Sequence, residues 1–230
     1  MDILQPQENY RLITTAVGSR SLLHPVLNTA FHSTHGALQE SKHVFIQHGL
    51  NDVASRFNSD LRICEVGFGT GLNALLSAQW SEQNQRALHY HSIEKYPLHS
   101  YWHTQLAYTQ HFPERFAAVV SQIQRCDWGQ DQTISPFFTI HKQQADLVHT
   151  PLPEHLHLVY YDAFAPGHSP EMWEESIFRK FYEALLPGGA LVTFCAKGAL
   201  KRLWRQCGFE VQSLAGPPGK REMTRLIKAL

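Results

Sequence analysis

Residues 61–71 read LRICEVGFGTG, and the rest of the chain is organised around them. Leu61, Ile63 and Val66 form a short apolar run that predicts a buried strand. Gly67, Gly69 and Gly71 then alternate through a turn. Glycine at such points permits positive φ and lets a ligand approach the backbone closely. Leu72 to Trp80 continues as an apolar helix. Strand, glycine loop and helix together form the opening unit of a nucleotide-type α/β sheet.

Downstream landmarks extend that sheet. Ala87 to Ile93 reads as a second strand, with Glu94 at its carboxyl end, where a doubly wound fold places the acid that bonds ribose hydroxyls. Tyr101 to His111 is expected to be helical between Pro97 and Pro113. Phe137 to His141 is a further strand, followed by Asp146, which either faces a base or caps a helix. Leu156 to Tyr161 runs into Asp162, at the sheet edge where open α/β folds place their sites. Met172-Trp173 opens a helix and Ala190 to Cys195 is a buried strand. Lys197 to Cys207 is a basic helix, and Phe209–Leu214 with Met223–Ala229 closes the sheet. Upstream, Tyr10 to Val17 suits a strand and Val44 to Val53 a short helix. His32, Ser33, His35 and Glu40 read as a capped helix start with solvated side chains. The alternation of strands and helices predicts a mostly parallel sheet covered on both faces.

Composition narrows the class. The chain has 230 residues, 43% of them hydrophobic and 17% charged, which suits one globular domain rather than a disordered chain. Lys+Arg and Asp+Glu both number 20, so a nucleic-acid partner must be met by a local patch. Residues 196–230 carry eight basic residues against two acids, a local excess of +6. Cys64, Cys126, Cys195 and Cys207 have no paired metal spacing and read as reduced thiols. With no evident signal peptide or membrane span, a cytoplasmic location is expected. Fifteen histidines include the pairs His89/His91 and His155/His157, yet spacing supplies no third ligand, so no metal is expected.

The glycine spacing identifies the nucleotide. G-x-G-x-x-G would suit a dinucleotide pyrophosphate. Here Glu65-x-Gly67-x-Gly69-x-Gly71 resembles the first motif of S-adenosylmethionine (SAM) methyltransferases. Further stretches are more specific: IEKYPL (93–98), DAFAPGHSPEMW (162–173), LPGGALVTFCAKG (186–198), CGFEV (207–211) and GPPGKREM (216–223). With GFGTGLNAL (67–75) and FHSTHGALQESKHVFI (31–46), they make the chain similar to the methyltransferase half of the bifunctional tRNA 5-methylaminomethyl-2-thiouridine biosynthesis proteins and their stand-alone relatives.

That resemblance implies a Rossmann-like class I SAM-dependent methyltransferase with a mostly parallel seven-stranded sheet. Residues 61–230 would form the catalytic domain, and residues 1–60 an extension on its substrate side. The implied reaction methylates the amine of 5-aminomethyl-(2-thio)uridine at the tRNA wobble position. Glu65, Gly67, Phe68, Gly69, Gly71, Asn73, Glu94, Asp146 and Asp162 fall on cofactor-side positions, and Asp162 also on the catalytic loop. Phe164 and Trp173 would stack on the base, and Lys197, Lys201, Arg202, Lys220 and Arg221 would hold phosphates. The chain stops at Leu230, before any oxidase domain, so a separate enzyme or another modification route is expected to supply the amine. Gly167-His168-Ser169 replaces the commoner lysine-asparagine of that loop. A free aspartate titrates about six units below an alkyl ammonium, so Asp162 is expected to orient the amine rather than deprotonate it.

Other readings stay open on sequence alone. Aminopropyltransferases share the fold, but usually carry a G-G-G-D-G type loop. An RNA-binding module that has lost turnover is opposed by the intact glycines and Asp162. A dinucleotide-dependent oxidoreductase is opposed by the loop spacing.

Overall fold

The computed structural model describes residues 10–230. The glycine loop is where expected, after β4 (Leu61–Val66) and before α3 (Leu72–Asn84). Both belong to an eight-stranded sheet whose centre is parallel. β4 lies between β5 (Leu88–Glu94) and β8 (Leu156–Tyr161), with β7 (Phe138–Gln144) beyond β5 and β9 (Leu185–Thr193) beyond β8. Antiparallel strands finish both sides. β6 (Asp131–Ser135) pairs with β7, and the hairpin of β10 (Glu210–Ala215) and β11 (Glu222–Ile227) adds to β9.

The sheet has eight strands where seven were expected. The additional one, β6, reads Asp-Gln-Thr-Ile-Ser and is largely solvent-facing. It has no apolar run, because an edge strand needs no buried face, so periodicity could not reveal it.

Alternation along each central strand splits the core in two. Leu61 and Ile63 of β4 face one side, with α3, α5 (Ala117–Arg125) and the buried residues Val44, Phe45, Leu50 and Val53. Cys64 and Val66 face the other, with α6 (Glu175–Ala184) and α7 (Gly198–Gln206). The predicted helix at 44–53 is the middle of a longer helical run: α1 (Ala37–Ser41), a π-helical stretch Lys42–Leu50 and α2 (Asn51–Arg56). Gly49 allows this run to lie on the sheet; a Cβ there would come within 3.0 Å of Val192. The helix expected at 101–111 ends early: α4 (Ser100–Leu106) stops where Ala107 adopts φ 51°, and a 3-10 turn follows at Tyr108–His111. Met172-Trp173 lies in a 3-10 turn, Pro170–Trp173, ahead of α6.

The first described residues form a small antiparallel sheet of β1 (Arg11–Thr14), β2 (Arg20–His24) and β3 (Thr29–Ala30). It delivers Phe31 and His32 to the carboxyl edge of the large sheet. Among the described residues, no helix is long and apolar enough to cross a membrane, and all four cysteines are free.

Candidate active site

The carboxyl ends of β4, β5, β7 and β8 open into a cavity of about 400 Å³. Its floor is the glycine loop. Gly67 has φ +86°, and its N–H donates to the Ile93 carbonyl at 2.9 Å. A Cβ at Gly67 would meet the Asp162 carbonyl at 3.2 Å, so the conformation and the close approach both require glycine. Glu94 is fixed at the end of β5 by N–H donors from Gly69 (3.0 Å) and Tyr96 (2.8 Å). Burial raises its pKa, against those hydrogen bonds. Asp146 lies across the mouth beyond β7, accepting from Val148 N–H and paired with Lys95 at 3.1 Å.

Asp162 leaves β8 at the far wall. Its Oδ2 accepts from Asn73 Nδ2 at 2.9 Å. Burial first, then the charge of Glu40, pushes its pKa up to about 8, against the Asn73 hydrogen bond and the Lys220 ammonium. This changes the chemistry expected from the sequence. The gap to an alkyl ammonium narrows from about six units to about two.

Predicted residues divide by position. Gly67, Phe68, Gly69, Asn73, Glu94, Asp146, Asp162, Phe164 and Lys220 line the cavity. Gly71 starts α3 behind it, at φ +79°. Glu65 is fully buried beneath the loop and does not reach the cavity wall, so it is not positioned to contact a ligand. Trp173 also departs from expectation. It is 4% exposed, its indole N–H donates to the Phe164 carbonyl at 2.9 Å, and it packs among Tyr161, Phe178 and Trp204. It braces the Asp162 loop and has no free face for stacking. Lys197, Arg202 and Arg221 are exposed, away from the cavity lining. Lys201 is paired with Glu222 at 2.8 Å and donates to Ser213 at 2.7 Å, so its charge is already engaged.

The 31–40 segment supplies residues that the sequence reading assigned to solvent. His32 and Ser33 line the cavity, and Glu40 is only 6% exposed. Glu40 accepts from Ser33 N–H at 2.6 Å and pairs with Lys220, whose ammonium lies 4.0 Å from the Phe194 ring centroid. His32 bridges Ser21 Oγ (3.0 Å) and Thr70 Oγ1 (3.4 Å), and burial lowers its pKa to about 4. Tyr10, His24, Phe31 and Phe164 meet edge to face above the loop, and the Phe31 ring occupies the space a Cβ on Gly69 would need. Local pattern gave no sign of these contacts; the only signal was the family-like stretch 31–46 itself.

Charge around the cavity tests which nucleotide fits. Its walls present Glu40, Glu94, Asp146, Asp162 and Glu171 against Lys95 and Lys220. An acid-rich wall suits a sulfonium cation and ribose hydroxyls, and repels a pyrophosphate. A family model described as S-adenosyl-L-methionine-dependent methyltransferase matches residues 105–229, more than half of the chain. The chain belongs to this family. S-adenosylmethionine is therefore the cofactor, and Gly67, Gly69, Asn73 and Glu94 all line the cavity.

Relatives of this methyltransferase are longer. It is 32% identical over 208 residues to the tRNA 5-methylaminomethyl-2-thiouridine biosynthesis bifunctional protein MnmC of Methylobacillus flagellatus, covering 84% of this chain and 31% of that protein. The protein of the same name from Idiomarina loihiensis is 32% identical over 213 residues, covering 84% and 34%. The chain thus spans about a third of these curated relatives. The crystal structure of MNMC2 from Aquifex aeolicus superposes with TM-score 0.77 at 22% identity, over 99% of this chain and 73% of that one, which shows the shared fold. Among the described residues, no group of three or more His, Cys, Asp or Glu side chains is arranged to hold a metal.

Proposed function

We propose that this methyltransferase acts on tRNA, converting the 5-aminomethyl group of a (2-thio)uridine at the wobble position to 5-methylaminomethyl. The observation that carries the reading is Asp162, an acid of raised pKa at the cavity wall, within the stretch that matches the relatives named for this modification.

When bound, the cofactor supplies an electrophilic sulfonium methyl group. Gly67, Phe68 and Gly69 would shape its seat with Gly71 behind them, Glu94 would accept from ribose hydroxyls, and Asp146 would border the adenine end. Asp162 accepts a proton from the substrate ammonium, leaving a neutral nitrogen to form the N–C bond as the C–S bond breaks. Positioning in the water-poor cavity supplies much of the rate. Phe164 and Phe31 offer faces for a uracil taken out of the anticodon stack. Lys197, Arg202 and Arg221 contact phosphates, with Lys220 at the cavity end of that surface. Residues 1–60, of which 1–9 lie outside the described residues, would act as the substrate-side extension of the 61–230 catalytic domain. We place the enzyme in the cytoplasm.

Methyl transfer from labelled S-adenosylmethionine to tRNA carrying 5-aminomethyluridine tests this. A 5-methylaminomethyluridine product on nucleoside analysis is expected. Binding of the cofactor without that product would overturn the assignment of substrate.

A further inference from the structure

Beneath the glycine loop lies a polar cluster that the mechanism above does not use. Glu65 of β4 is fully buried on the α3 side of the sheet. Its Oε2 accepts from Ser92 Oγ at 2.7 Å. Its carboxyl also faces the side chains of Asn73 and Tyr90. Three atoms here are buried without a partner: Glu65 Oε1, the Asn73 carboxamide oxygen and the Tyr90 hydroxyl. Leaving three such atoms unsatisfied together is costly and uncommon in a folded core.

One proton resolves the first two. If Glu65 Oε1 carries it, that O–H donates to the Asn73 oxygen. Asn73 has its oxygen engaged and its amide N–H directed at Asp162, as the structure has it. If Glu65 were ionised instead, the Asn73 oxygen would face a carboxylate with no hydrogen between them.

We infer that Glu65 is a positioning residue, a neutral acid that donates to Asn73 and thereby holds the Asn73 amide on Asp162. Burial also disfavours charge at Glu65 and the neighbouring Asp162 carboxyl adds to the effect, together outweighing the Ser92, Asn73 and Tyr90 side chains, which act the other way. The consequence lies at the reacting edge. With Asn73 oriented, one Asp162 oxygen is tied back and the other is left for the substrate amine. The acid of the glycine motif thus acts through two side chains rather than on the cofactor. The catalytic part of this inference rests on the role proposed for Asp162; the protonation state does not.

Infrared difference spectroscopy on the full chain tests the protonation without any turnover. Protonated-carboxyl bands are followed as pH is raised. One protonated-carboxyl band present at neutral pH is expected to vanish in Glu65→Gln and to remain in Asp162→Asn. Its loss in Asp162→Asn instead would place the proton on the wrong carboxyl and overturn the inference. Kinetics then separates positioning from folding. A glutamine side chain keeps an N–H for Asn73, so Glu65→Gln should hold kcat within about twofold, whereas Glu65→Leu should lower it about tenfold or more at unchanged cofactor affinity. A Glu65→Gln variant as impaired as Glu65→Leu would also overturn it. Loss of methyl transfer to every tRNA tested, with the infrared assignment intact, would count against the substrate reading alone.

Discussion

Replacing Glu65 by glutamine should change how stability depends on pH, and the size of the change follows from the burial of this side chain. An unfolded glutamate releases its proton near pH 4.5, whereas Glu65 in the folded chain holds it up to about 8. Between those values the folded state binds one more proton than the unfolded state, so raising the pH favours unfolding. The slope is about 1.4 kcal/mol per pH unit, giving about 5 kcal/mol across the window. The stability Glu65 contributes is complete below pH 4.5 and lost as pH rises through 8. Glutamine keeps the shape and a donor for Asn73, and has nothing to ionise. The difference in unfolding free energy, Glu65→Gln minus wild type, should therefore grow with pH and level off above 8. Guanidinium unfolding at pH 5, 6, 7, 8 and 9 measures it, and taking the difference cancels the other titrating groups. Parallel curves for the two proteins would refute the claim that Glu65 is buried as a neutral acid.

Methyl transfer by the wild type should rise with pH towards about 8, because the raised pKa of Asp162 keeps it protonated below that value; Asp162→Asn should lose this inflection in a kcat profile. Asp162→Ala should retain cofactor binding by calorimetry while losing most turnover. Trp173→Ala should destabilise the fold by about 3–5 kcal/mol in denaturant titration, since the residue fills core rather than meeting RNA. Replacing Lys197 and Arg202 together by alanine should weaken tRNA binding and flatten its dependence on log salt by about one to two units, with cofactor affinity unchanged.

The sequence by itself determined the central strands of the large sheet, the glycine loop, and the placing of Glu94 and Asp162 at strand ends. These are local facts. A buried strand needs an apolar run, a tight turn needs glycine, and β4 and β8 must carry their last residues to the same edge once they are parallel neighbours. Only the tertiary structure decided what those residues touch. Glu40 looked solvated because its partner Lys220 is 180 positions away. Trp173 looked available for stacking because nothing in its neighbours announces Tyr161, Phe178 and Trp204 around it. Asp162 looked like an ordinary acid until burial beside Glu40 raised its pKa, and Glu65 looked like a ligand contact until the sheet enclosed it. The strength of a charge depends on its exposure to water and on the charges near it, and both are set by segments distant in sequence that the folded sheet brings together.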